Sequence, residues 1–204
     1  IVSSRYDVYS DALDPVYAEN CSWAEVWINE SFEKDLLVRG PDGNRIKGWG
    51  VYPHNSTEMV YCNIVNDRYW KDYLIKKVDK EISEGANRKC RFIDVATALD
   101  WLEDYSENHP SNRTGSKLNR LETLRTIGSR YGMVCGSETG HDAAVPYCDY
   151  FEGMMSLPNF RTKDSGRNIY NIVWEPEEHV IKYQLGHNYR VPLWELVYHD
   201  CVVA

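Results

Sequence analysis

No stretch of this chain approaches the roughly 18 consecutive apolar residues of a membrane-spanning helix, so the sequence contains no membrane span and reads as a soluble globular chain. Positive charge is also short. Lys and Arg number 23 against 31 Asp and Glu, a formal net charge of −8. No basic stripe offsets that balance, which argues against a nucleic-acid partner. The 6 cysteines (Cys21, Cys62, Cys90, Cys135, Cys148, Cys201) form no CxxC pair, so zinc-ligand spacing is missing. A disulfide framework is a device of smaller secreted domains, and several of these thiols sit in apolar runs, where buried cysteine acts as a small hydrophobe. No Gly-rich phosphate loop follows an apolar run, which removes the main signature of a dinucleotide fold. There is no initiator Met and no signal peptide. A piece of a longer protein, with flanking domains, is therefore the expectation. An extracytoplasmic location, periplasmic or secreted, is expected as well, although no targeting segment specifies it.

What is present is aromatic: 7 Trp and 15 Tyr among 204 residues, in a length sufficient for one domain with a sizeable core. Four N-x-S/T sequons, at Asn20, Asn29, Asn55 and Asn112, matter only in a eukaryotic secretory route.

Taken in order, Ile1–Asp11 alternates apolar and polar residues and delivers Asp7 and Asp11 at its exit, as a first strand would. From Asp14 to Trp49 short pieces are punctuated by Pro15, Gly48 and a Pro41-Asp42-Gly43 turn, an excursion with room for a hairpin. Tyr52–Val65 returns to strand character and carries Asn63. Asn66 then reads as an N-cap, Trp70, Tyr73, Leu74, Val78 and Ile82 follow at helical spacing, and Gly85 closes the segment. That stripe is expected to pack against a sheet.

The organising stretch comes next. Arg91-Phe-Ile-Asp94-Val95 is a short, β-branched strand with one carboxylate at its end. An ionised carboxylate beside apolar neighbours is costly unless it is paired or used. A polar loop, Asp104–Gly115, leads to a helix predicted over Ser116–Tyr131, with Leu118, Leu121, Leu124 and Ile127 on one face and Gly132 as its stop. Gly132-Met-Val-Cys-Gly-Ser-Glu138-Thr-Gly140 then repeats the design of strand followed by acid. A further strand ends near Glu152. A loop with Pro158 and Gly166 leads to a third helix between Pro176 and Gly186, and a last strand is expected at Leu193–Val197, carrying Glu195.

Alternating strands and helices imply parallel crossovers. Acids at successive strand exits place a site on the carboxyl face of the sheet. The expected fold is α/β: a (β/α)8 barrel forming one catalytic domain over residues 1–204. The elements fall short of a full ring, so the barrel is expected to be partial, lacking its first strands and last helix. An open doubly wound sheet is the alternative.

Two carboxylates on one rim with surplus aromatics meet the needs of glycoside hydrolysis: one acid protonates the leaving oxygen, the other attacks or activates water, and aromatic faces stack on the sugar. The motifs Phe92-Ile-Asp-Val95 and Cys135-Gly-Ser-Glu-Thr-Gly140 resemble the paired motifs of glycoside hydrolase families 129 and 101. The Tyr-Phe-Glu-Gly and Pro-Leu-Trp-Glu-Leu-Val-Tyr-His-Asp stretches resemble that group's closing strands. The resemblance implies a (β/α)8 catalytic domain and a retaining enzyme acting on α-linked N-acetylgalactosamine, with Asp94 as nucleophile and Glu138 as acid/base. The interval 138 − 94 = 44 residues is longer than the resemblance leads one to expect, with the extra length in the Asp104–Gly115 loop. Asp7, Asn63, Trp101, His141, Glu152 and Glu195 are the candidates for substrate contact. The chemistry requires no cofactor, no metal ligand set is assigned, and nothing indicates a structural calcium. His141-Asp142 and His199-Asp200 leave a metal-dependent hydrolase open, though neither belongs to an H-E-x-x-H set. A non-catalytic carbohydrate-binding barrel stays open too, because a fold does not fix a function.

Overall fold

The structure is a computed structural model that describes residues 3–18, 26–54, 56–152, 178, 181, 182, 189 and 193–203. The sequons at Asn20 and Asn55, the Pro158 and Gly166 loop and the helix ends at Pro176 and Gly186 lie outside those residues.

Four strands make a parallel sheet: β1 (Ser4–Asp7), β5 (Cys90–Ile93), β6 (Val134–Glu138) and β7 (Tyr150–Glu152), in the order β1-β5-β6-β7. The expected parallel pairing of the Asp94 and Glu138 strands is present, in the register Cys90↔Val134 to Ile93↔Ser137. All residues of β5 are buried, as befits a parallel strand covered on both faces.

A second sheet follows β1 at its carboxyl end. It comprises β2 (Asp11–Ala12), β4 (Val60–Ile64) and β3 (Lys47–Val51), all antiparallel. Within the expected excursion from Asp14 to Trp49, the turn at residues 40–44 is closed by Gly40 N–H to Asn44 O at 2.8 Å and Gly43 N–H to Gly40 O at 2.9 Å. Asp11, expected at a strand exit, instead accepts from Trp49 N–H at 2.8 Å and ties β2 to β3.

Two short helices, α1 (Pro15–Ala18) and α2 (Val26–Glu33), precede β3. Asn66 caps as its sequence context predicts, accepting from Arg68 N–H at the start of a 3-10 turn that runs into α3 (Trp70–Ser83). Trp70, Tyr73, Leu74 and Val78 are buried, while Ile82 is about half exposed. The helix after the polar loop, α4 (Arg113–Tyr131), begins earlier than predicted because Asn112 supplies the cap, accepting from Gly115 N–H. It stops as predicted, at Gly132 in the left-handed region (φ 60°).

Its buried face differs from the leucine stripe. Leu124 and Ile127 are inside, but Leu118 is exposed, and Ser116, Arg120 and Thr123 are buried in its place. Buried acceptors explain the rotation: Arg120 donates to Leu99 O at 2.7 Å and Asp100 O at 2.8 Å and pairs with Asp67 at 3.1 Å.

The other correction is at the chain's end, where Leu193–Tyr198 is a short helix rather than a strand. An apolar run of this length is ambiguous by period. The contact of Trp194 with Tyr198, ring centroids 4.5 Å apart, is the i, i+4 spacing of a helix. The segment beside β7 is instead Val203, in a parallel bridge to Tyr150.

One core joins α3, α4 and the sheet through Trp70, Leu74, Leu124, Ile127, Ile93, Cys135 and Phe151. Cys62, Cys90, Cys135 and Cys148 are buried thiols and Cys201 is exposed. No described helix is long and apolar enough to cross a membrane.

Candidate active site

Side chains alternate along a strand, and the parallel sheet sorts its residues accordingly. Asp7, Arg91, Ile93, Cys135 and Phe151 turn toward the helices. Tyr6, Phe92, Gly136 and Tyr150 belong to the other face. One pleat further along that face stand Asp94, Glu138 and Glu152. Glu138 is in register with Glu152, and Ile93 with Ser137, so Asp94 follows in line beside Glu138. Three neighbouring parallel strands thus deliver three carboxylates in a row at their carboxyl ends. Asp94 and Glu138 are half-buried and Glu152 is exposed.

An aromatic row lies beneath them. Tyr6 stacks on Phe92 with centroids 5.3 Å apart and planes 14° from parallel, and Phe92 is 6.0 Å from Tyr150. Gly136 makes this possible, since a Cβ there would sit 2.1 Å from the Tyr150 ring.

The backbone repeats itself after each of the first two acids. Val95 (φ 49°) and Thr139 (φ 65°) are non-glycine residues in the left-handed region. Such a conformation is disfavoured for a β-branched side chain and gathers at functional sites. Gly140 (φ 81°) completes the second turn, where a Cβ would press on the Phe151 ring at 2.6 Å.

Hydrogen bonds couple the two turns. Thr97 Oγ1 donates to Glu138 O and accepts from Gly140 N–H at 3.3 Å, and Ser137 Oγ donates to Ile93 O at 2.7 Å. Backbone placement of both acids is therefore shared between β5 and β6.

Trp101 and His141, named from sequence, meet edge to face with centroids 5.4 Å apart, and Lys117 lies 5.1 Å over the Trp101 ring. His141 follows Glu138 by three positions. Burial lowers its pKa, with Asp142 opposing and Lys117 and Arg120 reinforcing the shift. Its Nδ1 has no hydrogen-bond partner among the described residues.

Three other candidates are not part of this row. Asp7 turns to the helix side, fully buried, and pairs with Arg91 and with Lys77 at 2.9 Å. Burial works against its charge, but Arg91 and Lys77 outweigh burial and hold the carboxyl below its ordinary range. Asn63 sits in β4 of the antiparallel sheet, paired with Ala12 and Lys47. Glu195 lies on the Leu193–Tyr198 helix, whose Trp194 contacts Phe151 at 6.2 Å and so approaches the helix-side face of β7.

The residue that the sequence reading passed over is Tyr6. Its phenol is driven upward first by burial, then by a hydrogen bond to Asp94 and by the charges of Asp94, Glu138 and Glu152. Alternation along β1 set Tyr6 opposite to Asp7, and that was the available signal. Among the described residues, no group of three His, Cys, Asp or Glu side chains could hold a metal ion.

The family profile described as glycosyl hydrolases related to GH101 family, GH129, matches residues 2–169. No curated protein matches the chain. Among solved structures, the chain is similar to the alpha-N-acetylgalactosaminidase NagBb from Bifidobacterium bifidum in its GalNAc complex, with TM-score 0.65 and 20% identity over 98% of this chain and 26% of that one. A quadruple mutant of the same Bifidobacterium bifidum protein gives TM-score 0.67, again at 20% identity over 98% and 26% of the two chains. The likeness is one of fold, and the chain spans about a quarter of the length of those structures.

Proposed function

The chain belongs to the GH129 glycosyl hydrolases, related to the GH101 family, and from that membership we propose that it carries the catalytic carboxylates of a retaining glycoside hydrolase acting on α-linked N-acetylgalactosamine. One observation supports the reading above the others. Asp94 and Glu138 stand side by side at the ends of adjacent parallel strands, each followed by a residue in the left-handed region. The similarity to alpha-N-acetylgalactosaminidase NagBb points to the sugar. A (β/α)8 barrel is the proposed setting, and the parallel bridge from Tyr150 to Val203 is consistent with a sheet continuing past β7.

In the first step the Asp94 carboxylate attacks the anomeric carbon while Glu138 gives its proton to the departing glycosidic oxygen. The bond to the aglycone breaks as the glycosyl–Asp94 ester forms. In the second step water attacks the same carbon, Glu138 takes the proton and Asp94 leaves as carboxylate. Such a pair works at a separation of about 5–5.5 Å, against about 6.5–9.5 Å when a water must fit between. Glu152, Trp101 and His141 are the proposed sugar contacts, with Trp101 offering a face to the apolar side of the ring.

Removing the nucleophile while leaving room for a small anion tests the assignment. We expect Asp94→Ala to lose turnover of aryl α-N-acetylgalactosaminides and to regain it with azide, giving the glycosyl azide of inverted configuration. Glu138→Gln should slow substrates with poor leaving groups far more than activated aryl ones. If both variants keep parental rates on a substrate the parent cleaves, the assignment fails. Binding of sugar without turnover by the parent would favour the carbohydrate-binding reading.

A further inference from the structure

Tyr6 is in register with Phe92 across β1 and β5, which puts its ring on the same face as Asp94 and one pleat behind it. Its ring lies nearly parallel to that of Phe92 at 5.3 Å, so the phenol is held by a neighbour that is itself buried. The phenol lies diagonal to Asp94 on that face, and its titration is raised first by burial, then by hydrogen bonding with Asp94 and by the charges of Asp94, Glu138 and Glu152.

We propose that Tyr6 is a positioning residue that sets the orientation and charge of Asp94. The proposal rests on reading Asp94 as the nucleophile, and it adds a residue that this reading does not require.

The physical need is plain from the chemistry. An attacking carboxylate must be ionised, with one oxygen turned to the sugar. A donor that satisfies one oxygen opposes protonation and leaves the other oxygen to face the sugar. A phenol does this without introducing a positive charge that would also pair with Glu138. Stacking on Phe92 restricts the donor's swing, and a two-torsion side chain loses little freedom on being fixed. When Asp94 becomes an ester, the same hydroxyl still has the ester carbonyl to donate to, so the contact persists through the reaction.

Two measurements test this, and only one depends on turnover. Tyr6→Phe keeps the stack and removes the hydroxyl. The expected result is a kcat about 10-fold or more below the parent with KM little changed, and an acidic limb of kcat/KM that moves to higher pH by about one unit. Tyr6→Leu, which also removes the stack, should share the shifted limb. A Tyr6→Phe enzyme with the parental limb and kcat overturns the proposal.

The second measurement follows the Tyr6 phenol itself by 13Cζ NMR of labelled tyrosine, assigned by the loss of its signal in Tyr6→Phe. Asp94→Asn removes the accepting charge, so the phenol should titrate at lower pH than in the parent. An unchanged titration overturns the proposal. If the phenol responds but the parent cleaves no α-N-acetylgalactosaminide, the Tyr6–Asp94 contact stands and the glycosidase reading falls.

Discussion

Val95 carries a β-branched side chain at φ 49° immediately after Asp94. The strain of such a residue is about 1–3 kcal/mol, and it is held by the turn in which Ala98 and Leu99 N–H both donate to Val95 O, at 3.1 and 3.0 Å. Glycine adopts the same backbone freely. Val95→Gly is therefore expected to leave stability unchanged or raise it by about 1 kcal/mol, part of the relief being offset by the greater freedom of the unfolded chain. Activity should fall, because the strained turn aims Asp94. Urea unfolding beside kcat separates the two effects, and a variant that loses stability and keeps its rate would show that Val95 serves packing alone. Thr139 at φ 65° repeats the geometry after Glu138, which makes the pair of turns a property of the site rather than of one loop.

At the scale of elements, the segment between β5 and α4 is where charge and burial meet. Asp104 and His109 are both buried and joined at 2.7 Å, Asn66 donates to Asp104 at 2.6 Å, and His109 Nε2 lies 2.6 Å from Asp35 O. This loop, long and polar in sequence, is thus fastened to the Asn66 cap of the 3-10 turn that precedes α3 and to the backbone at Asp35. Arg120 fastens its other part. It reaches Leu99 O and Asp100 O while pairing with Asp67, and its guanidinium lies 5.3 Å over the Trp70 ring. Taking away one member of a buried pair leaves the other charge uncompensated, at a cost of about 3–5 kcal/mol. We expect Arg120→Ala to lower stability by that amount. The amides of residues 99–106 should lose hydrogen-exchange protection before those of β5 and β6. Uniform loss of protection across the sheet would mean that Arg120 supports the whole core and not the loop.

For the molecule as a whole, Asp7 ties β1, β5 and α3 together through Arg5, Arg91 and Lys77. Its folded pKa lies below the ordinary value because Arg91 and Lys77 outweigh burial. In the unfolded chain it titrates near about 3.9. The stabilisation is therefore fully present above about pH 4 and is lost as pH falls through the depressed folded value. Asp7→Asn should cost about 3–5 kcal/mol at pH 7, and the gap between parent and variant should narrow as the medium is acidified below pH ~4. Urea midpoints at a series of pH values check it. A gap constant across the acid range would mean that Asp7 contributes through shape and not through charge.

Local chemistry was legible in the residues themselves. Asn66 and Gly132 marked helix ends because capping depends on a few adjacent backbone groups. The Pro41-Asp42-Gly43 turn was readable for the same reason. The two strand–acid runs ending at Asp94 and Glu138 stood out because a carboxylate at the end of an apolar run is costly without a use. Family membership extends that local reading, since the motifs carrying it are short and contiguous. Tertiary structure decided what depends on partners distant in sequence. Asp7 and Tyr6 are neighbours on one strand, yet the pleat sends Asp7 to Arg91 and Lys77 and Tyr6 to Asp94. The α4 stripe turned from Leu118 toward Arg120 because Asp67 and the carbonyls of Leu99 and Asp100 needed a buried donor. Leu193–Tyr198 became a helix because an apolar run has no period strong enough to choose, and Trp194 found Tyr198 and Phe151. Periodicity and capping are written along the chain, whereas the partner of a buried charge is chosen only when the sheet and helices close on it.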